Sequence, residues 1–185
     1  MTVQSFSLIP FPDPNILDIA ITGKLLRQNN LLTIRYVLTG EVINIFLPLP
    51  LVNPTRKDDL WKATCFEFFL AIKDLPQYWE CNISPSGDWN VYHMDSYRRI
   101  GFRAETAIKR LQFGTRRTEN GLMLDAEIDL NPIIRIGQVL EVAVTAVIQT
   151  KGGNETYWAL THPAPEPDFH LRESFILQTA ERIHP

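Results

Sequence analysis

Apolar and polar side chains alternate along much of the chain, as expected for β-strands with one face on a core and one face in water. In the clearest segment, 122–130, every second residue is apolar and the residues between them are mostly acidic. Segments 32–38 and 140–148 follow the same pattern, and a further short strand is predicted at 43–47. No segment carries a helical apolar stripe longer than about three turns. The pattern therefore predicts an all-β protein.

Turn-forming residues separate these segments at short intervals. Glu119-Asn120-Gly121 and Lys151-Gly152-Gly153-Asn154 each join two alternating segments and predict β-hairpins. The 13 prolines fit a chain with many loops and strand edges. Short strands with such turns predict an antiparallel β-sandwich of the immunoglobulin-like or jelly-roll-like kind. Because the chain has 185 residues and no linker or internal repeat, residues 1–185 are expected to form a single domain.

Composition disfavours several classes of function. The chain has 18 Lys and Arg against 21 Asp and Glu, a net charge of −3, which is too acidic for a protein that binds nucleic-acid backbones. No stretch approaches the roughly 20 apolar residues of a membrane span. Residues 1–14 lack the basic and apolar regions of a signal peptide, so a cytoplasmic protein without a membrane partner is expected. Nucleotide-binding glycine motifs, an esterase nucleophile elbow and zinc-ligand spacing are all missing from the sequence.

Two neighbouring segments in the middle of the chain predict a hairpin with one polar face. Segment 60–72 has alternate apolar residues that should face the core, and segment 78–84 follows it after a short loop. The register that pairs polar with polar positions brings Glu67, Glu80 and Asn82 together on one face. A slip of one residue would bury these polar groups among phenylalanines, so this register is favoured.

The chain has two cysteines, Cys65 and Cys81. The same hairpin register sends them to opposite faces of the sheet, which prevents a disulfide between them. The reducing compartment expected from the sequence also disfavours a disulfide. Two free thiols are therefore predicted.

This part of the chain supplies the side chains that a sugar site needs. Sugar rings present apolar C–H faces that stack on aromatic rings, and their hydroxyls need polar partners. The candidate ligand-binding residues are Trp89 and Tyr92 for stacking, with Glu67, Glu80, Asn82 and Arg98 at the rim. Each has a structural alternative, because aromatics are common in strands and Glu67 could pair with Arg98 or Arg99. The other tryptophans lie in apolar surroundings and are predicted core residues, namely Trp61, Trp79 and Trp158.

Residues 161–175 are predicted to form a rigid loop. Pro163, Pro165 and Pro167 space an otherwise polar stretch there, which disfavours a strand. Asp168 and His170 are expected to fix this loop through side-chain to backbone hydrogen bonds.

Three blocks of the sequence resemble one family. LWKATCFEFFLAI, YWECNISPSGDWNVYHMDSYR and YWALTHPAPEPDFHLRESFIL are similar to the bacterial DOMON-like proteins, which are related to carbohydrate-binding module family 9. The patterns WxxTCFEFFL and PDFH carry most of the specificity. The resemblance implies a β-sandwich of antiparallel strands, and its relatives bind sugars or haem.

The resemblance implies a non-catalytic module that binds a small sugar or glycan fragment without a cofactor. In sugar-binding relatives loop tryptophans clamp the sugar, and Trp89 is the best candidate here. A haem-binding sensor or electron carrier is the alternative, with Met94 or His170 as axial ligand. A protein-interaction domain without a small ligand is a further alternative. A glycoside hydrolase built on Glu67 and Glu80 is disfavoured, because no other catalytic feature accompanies this pair of carboxylates.

Overall fold

The alternating segments are strands in the structure. The computed structural model describes residues 3–98 and 103–180, and its regular structure is almost entirely antiparallel β. Its strands are β1 (Gln4–Pro10), β2 (Ile19–Gln28), β3 (Leu31–Gly40), β4 (Cys65–Ile72), β5 (Tyr78–Ile83), β6 (Trp89–Met94), β7 (Arg103–Ala104), β8 (Gln112–Thr118), β9 (Gly121–Asp129), β10 (Leu140–Gln149), β11 (Glu155–Ala159) and β12 (Leu177–Thr179). The helical pieces in these ranges are the short 3₁₀ turns Val42–Asn44, Leu60–Lys62 and Arg172–Ser174. No helix in the described ranges has the length and apolar character to cross a membrane.

The strands form one path that folds into two layers. The path runs β7-β6-β5-β4-β10-β11-β1-β2-β3-β9-β8, and β12 also pairs with β10. β1 links the layers, because its residues Gln4 to Leu8 pair with β2 whereas Ile9 and Pro10 pair with β11. We call the layer of β1, β2, β3, β9 and β8 sheet A, and the layer of β4–β7 and β10–β12 sheet B. The predicted antiparallel β-sandwich is confirmed.

The main core lies between the two sheets. It contains the apolar positions predicted for segment 122–130 and the predicted inner face of β4, with Phe66, Phe68 and Leu70 buried. Tyr36 on β3 ties the layers together, because its hydroxyl donates a 2.6 Å hydrogen bond to the backbone oxygen of Glu67. This contact fixes the position of β4 over sheet A.

Sheet B is buried on both faces. Every residue of β4 and β5 is buried. A second apolar cluster on the outer face joins Phe175 to the sheet residues Phe69, Ala71, Tyr78, Tyr92, Met94 and Ala143. Residues 160–176, which we call the strap, cover part of this face. Arg172 anchors the strap, because it pairs with Glu141 and donates to the backbone oxygens of Ile72 and Leu75, each at 3.0 Å. The predicted loop is therefore confirmed, and it also acts as a cover.

One predicted strand is wrong. Segment 43–47 begins inside the 3₁₀ turn Val42–Asn44 and makes only an isolated bridge between Ile45 and Thr150. Pro48 and Pro50 come next, and proline cannot donate a backbone hydrogen bond to a neighbouring strand. The chain therefore leaves the sheet after a single pairing.

Both cysteines are free, as predicted, and both are buried. Cys81 belongs to the core between the sheets. Cys65 is two residues from Glu67 on β4, so both side chains lie on the outer face of sheet B. Burial raises the pKa of both thiols well above the usual range. They are therefore poor nucleophiles in the folded protein.

Candidate functional site

The β4–β5 hairpin has the predicted register. Glu67 lies opposite Asn82, and Phe69 lies opposite Glu80. Because side chains alternate between faces, Glu67, Glu80 and Asn82 all belong to the outer face of sheet B. The predicted grouping of these three polar residues is confirmed.

A cavity of about 710 Å³ lies between this outer face and the strap. Its floor is formed by sheet B, with Glu67, Phe69, Tyr78, Glu80, Met94 and Val147. The strap contributes Pro167, Phe169 and His170. The segment before β4 contributes Asp58, Asp59, Trp61 and Lys62, and the lining is completed by Arg98, Glu155 and Tyr157. The cavity thus combines aromatic rings with buried carboxyl groups.

The two carboxyl groups on the floor, those of Glu67 and Glu80, are 2% and 5% exposed. Glu67 accepts a 3.2 Å hydrogen bond from Thr145 at Oε2, while its Oε1 has no hydrogen-bond partner among the described residues. Glu80 Oε1 accepts a 2.7 Å hydrogen bond from the Asn82 amide. Burial raises the pKa of both carboxyls, and Glu80 adds to the effect on Glu67 by charge repulsion. The pKa of Glu80 is raised to about 7, so the pair retains protons near neutral pH.

His170 closes the site from the strap. Its Nδ1 lies 2.9 Å from the Tyr78 hydroxyl, and its Nε2 lies 4.0 Å from Glu80 Oε2. Burial, helped by the charge of Arg98, lowers the pKa of His170 to about 4. The imidazole is therefore neutral at neutral pH and can donate or accept a hydrogen bond there.

Asp168 holds this part of the strap in place. It accepts hydrogen bonds from the backbone N–H of His170 at 2.9 Å and from the Tyr97 hydroxyl at 2.6 Å. It also forms an ion pair with Arg98 at 3.1 Å. The predicted role of Asp168 in fixing the loop is confirmed. The predicted side-chain to backbone hydrogen bond of His170 is wrong, because its ring contacts the side chains of Tyr78 and Glu80. The alternative pairing of Glu67 with Arg98 is wrong, because Arg98 turns to the strap, and Arg99 lies outside the described residues.

The structure separates the two aromatic residues that were predicted to stack together. Trp89 and Tyr92 are three residues apart on β6, so they project to opposite faces. Trp89 pairs with Ile83 on the inner face, with the Arg56 guanidinium 4.4 Å from its ring centroid. It does not line the cavity.

Tyr92 lies on the expected face but does not reach the cavity lining. It is 1% exposed, and its ring packs edge-to-face against Trp61 with 5.9 Å between centroids. Its hydroxyl donates a 2.7 Å hydrogen bond to Asp58 Oδ1. Tyr92 therefore supports two residues of the cavity wall, Trp61 and Asp58, from behind.

The aromatic residues that do line the cavity were not predicted as site residues. Trp61, predicted as a core residue, is half-buried and lines the cavity together with Phe69, Tyr78, Tyr157 and Phe169. Trp79 and Trp158 are buried in the core as predicted. Trp61 and Phe169 lie within the WxxTCFEFFL and PDFH patterns. The two patterns therefore contained aromatic residues of the site that the alternation of apolar and polar residues did not identify.

Met94 and His170 line the same cavity, but their surroundings do not fit haem. Nδ1 of His170 contacts Tyr78, and Nε2 faces the carboxyl of Glu80. An apolar porphyrin placed there would cover the buried carboxyls of Glu80 and Glu67 without giving them a hydrogen-bond donor. The described residues also contain no group of three or more His, Cys, Asp or Glu that could hold a metal ion. Haem binding stays an untested prediction that the lining disfavours.

Comparison with solved structures identifies related folds. A protein of proposed carbohydrate-binding function from Bacteroides uniformis matches with a TM-score of 0.70 and 11% identity, over 94% of this chain and 83% of that chain. A family 9 carbohydrate-binding module from Caldicellulosiruptor kristjanssonii, solved with cellotriose, matches with a TM-score of 0.52 and 14% identity, over 88% of this chain and 75% of that chain. No protein-family model and no curated protein matches the chain. The DOMON-like relationship and the cytoplasmic location stay predictions, whereas the chain shares the β-sandwich fold of these two proteins.

Proposed function

We propose that this protein binds a small sugar or glycan fragment, without chemical turnover, in the cavity between sheet B and the strap. The observation that carries the proposal is a cavity in which aromatic rings surround buried polar groups. Trp61, Tyr157 and Phe169 offer apolar surfaces to the C–H faces of a sugar ring. Glu67 and Glu80 offer partners to its hydroxyl groups.

The dimensions and the hydrogen bonding of the cavity support this function. Its volume of about 710 Å³ lies within the roughly 300–1,000 Å³ typical of small-molecule sites. Buried polar atoms almost always have a hydrogen-bond partner, and Glu67 Oε1 has none among the described residues. A hydroxyl or amino group of a ligand would supply that partner.

The similar structures favour the same class of ligand. One is a module solved with cellotriose, and the other is a protein for which carbohydrate binding is proposed. Because their sequence identity to this chain is low, the kind of sugar has to be inferred from the residues of this cavity.

Calorimetric titration with a panel of mono- and oligosaccharides tests the proposal. We expect at least one sugar to bind, and Trp61→Ala and Phe169→Ala to weaken its binding by about tenfold or more, because each removes an aromatic wall. Trp89→Ala is the matched control, since Trp89 lies on the opposite face of β6. Thermal unfolding of each variant establishes that it is folded.

Besides a panel in which no sugar binds, two results would contradict the proposal. Binding that is lost in Trp89→Ala but kept in both cavity variants would place the sugar elsewhere. The release of chromophore from aryl glycosides by the wild-type protein, lost in Glu67→Gln, would contradict the absence of turnover.

A further inference from the structure

The described residues that line the cavity carry more negative than positive charge. Five of them have carboxyl groups, namely Asp58, Asp59, Glu67, Glu80 and Glu155, whereas two are cationic, Lys62 and Arg98. Both cations already have acidic partners. Lys62 lies 2.7 Å from Asp59, and Arg98 lies 3.1 Å from Asp168.

The carboxyl groups on the floor have neutral partners instead. Glu67 accepts from the Thr145 hydroxyl, and Glu80 accepts from the Asn82 amide. The nearby His170 imidazole is neutral near neutral pH. Burial raises the pKa of both carboxyls. The charge of Arg98 lowers the pKa of Glu80 only in part, and Arg98 is itself paired with Asp168.

A second, independent observation points to a missing donor at the same place. Glu67 is 2% exposed and lines the cavity, and its Oε1 has no hydrogen-bond partner in residues 3–98 or 103–180. The adjacent thiol of Cys65 lies near the Glu67 carboxyl and 3.8 Å from the backbone oxygen of Phe66, but a thiol is only a weak donor. Glu67 Oε1 therefore lacks a strong hydrogen-bond donor at the floor of the cavity, and a ligand that packs against this floor would supply one.

The aromatic lining is also suited to a cation. Ammonium groups are attracted to the faces of Trp, Tyr and Phe rings, most strongly where water is excluded. Phe69 lies on the floor, while Tyr157 and Phe169 pack edge-to-face with 6.1 Å between ring centroids. Aromatic rings and unpaired carboxyls together favour a ligand that is both a ring and a cation.

We propose that the sugar bound in this cavity is an amino sugar, whose protonated amino group donates hydrogen bonds to Glu67 and Glu80. This inference rests on the proposed sugar-binding function and narrows it to one chemical class. As the ammonium group binds, the floor carboxyls release the protons that they otherwise retain. The resulting carboxylates then accept its hydrogen bonds, and its positive charge balances theirs. A neutral sugar supplies only the donor, and a uronic acid adds a further negative charge.

Calorimetric titration slightly below neutral pH tests the inference with D-glucose, D-glucosamine, 6-amino-6-deoxy-D-glucose and D-glucuronate. We expect at least one amino sugar to bind about tenfold or more tightly than glucose, which corresponds to about 1.4 kcal/mol, and glucuronate to bind more weakly than glucose. Glu67→Gln should abolish the preference for the amino sugar. Glutamine has the shape of the protonated carboxyl, so this variant is expected to fold.

Glu127→Gln provides the matched control. It makes the same replacement of a carboxyl by an amide, but Glu127 lies on β9 in sheet A and does not line the cavity. It should keep the preference of the wild-type protein. A preference lost equally in both variants would show an effect of overall charge and would overturn the inference.

The remaining outcomes separate this inference from the proposed function. Glucose binding as tightly as both amino sugars overturns the amino-sugar inference and leaves sugar binding intact. Failure of every sugar in both panels to bind overturns both proposals. Ethanolamine binding as tightly as the amino sugars would show that the ammonium group alone is recognised, which also overturns the amino-sugar inference.

Discussion

At the scale of single residues, the floor carboxyls couple the stability of the protein to pH. The pKa of Glu80 is about 7 in the folded protein, against 4.5 for an ordinary glutamate. Its contribution to the free energy of unfolding is therefore fully present below about pH 4.5 and is lost as the pH rises through 7. A shift of this size corresponds to about 3 kcal/mol. Glu67 acts in the same direction.

His170 acts in the opposite direction. Its folded pKa of about 4 lies below the ordinary 6.5, so the folded protein binds fewer protons than the unfolded chain in this interval. Its contribution to stability is present above about pH 6.5 and is lost as the pH falls through 4. The pH dependence of the free energy of unfolding therefore includes two opposite contributions, one from Glu80 and one from His170.

Glu80→Gln should separate these contributions. The variant should be more stable than the wild type at pH 8, by up to about 3 kcal/mol, because glutamine carries no charge to bury. At pH 4 the difference should be small, since Glu80 is then protonated. Urea denaturation across this pH range measures both values, and Glu127→Gln serves as the control. The same pH dependence in Glu80→Gln and in the wild type would contradict the assignment of pKa 7 to Glu80.

The face of a strand on which a side chain lies was predicted correctly for some site residues and overlooked for others. The same alternation that correctly grouped Glu67, Glu80 and Asn82 also separates Trp89 from Tyr92. The prediction that these two aromatics stack on one ligand relied on residue type and overlooked that alternation. Residue type alone therefore misplaced the aromatic part of the site.

At the scale of elements, strands with one apolar face and one face in water were predictable. Strands whose pattern is interrupted by packing requirements were harder to predict. Segment 122–130 shows regular alternation, because one face of β9 is exposed to water. The alternation is hard to recognise in the sequence of β2, because its inward positions include Gly23 and Arg27. A Cβ atom at Gly23 would lie 2.0 Å from the backbone oxygen of Arg35 on β3 and 2.3 Å from the Phe6 ring, so the packing around this position requires a glycine, which weakens the apolar pattern. The pattern of apolar and polar residues within one strand does not reveal such contacts with other strands.

The strap is the element that completes the site, and its position depends on distant residues. The sequence predicted a rigid loop, but the contacts of Arg172 with β10 and of Asp168 with Arg98 join positions far apart in the chain. Trp61 lies ahead of β4 in a short 3₁₀ turn, outside the alternating pattern. The cavity was therefore not predictable from alternation, although the shared face of Glu67 and Glu80 on its floor was.

Asp168→Ala should loosen the strap and weaken ligand binding. It removes three hydrogen-bonded contacts, with Tyr97, Arg98 and the backbone of His170, so hydrogen exchange should accelerate around residues 166–171. We expect sugar affinity to fall by about tenfold or more because His170 is no longer held over the floor. Glu173→Ala, which changes an exposed carboxylate of the same strap, is the control. Unchanged exchange in Asp168→Ala would show that the strap does not depend on this anchor.

At the scale of the whole molecule, the two sheets share one core, and β1 belongs to both. This arrangement favours a single cooperative unfolding transition, as expected for the predicted single domain. Sheet A keeps one face in water, whereas both faces of sheet B are used, one for the core and one for the cavity.

Thiol accessibility tests this packing across the whole molecule. Cys65 and Cys81 are both fully buried, one on each face of sheet B, and neither forms a disulfide. We expect no rapid reaction with a thiol reagent in the folded protein and two reactive thiols per chain after unfolding without a reductant. Rapid reaction of a thiol in the native state would contradict the packing, and fewer than two thiols after unfolding would contradict the free cysteines.

The most direct test of the central claim uses the four tryptophans as reporters in one nitrogen-15-labelled NMR spectrum. Trp61 lines the cavity, Trp79 and Trp158 lie in the core, and Trp89 packs beneath Arg56. Addition of a sugar that binds should shift the indole N–H signal of Trp61, while the signals of the other three change little. A shift of the Trp89 signal with no change at Trp61 would contradict the proposed location of the sugar.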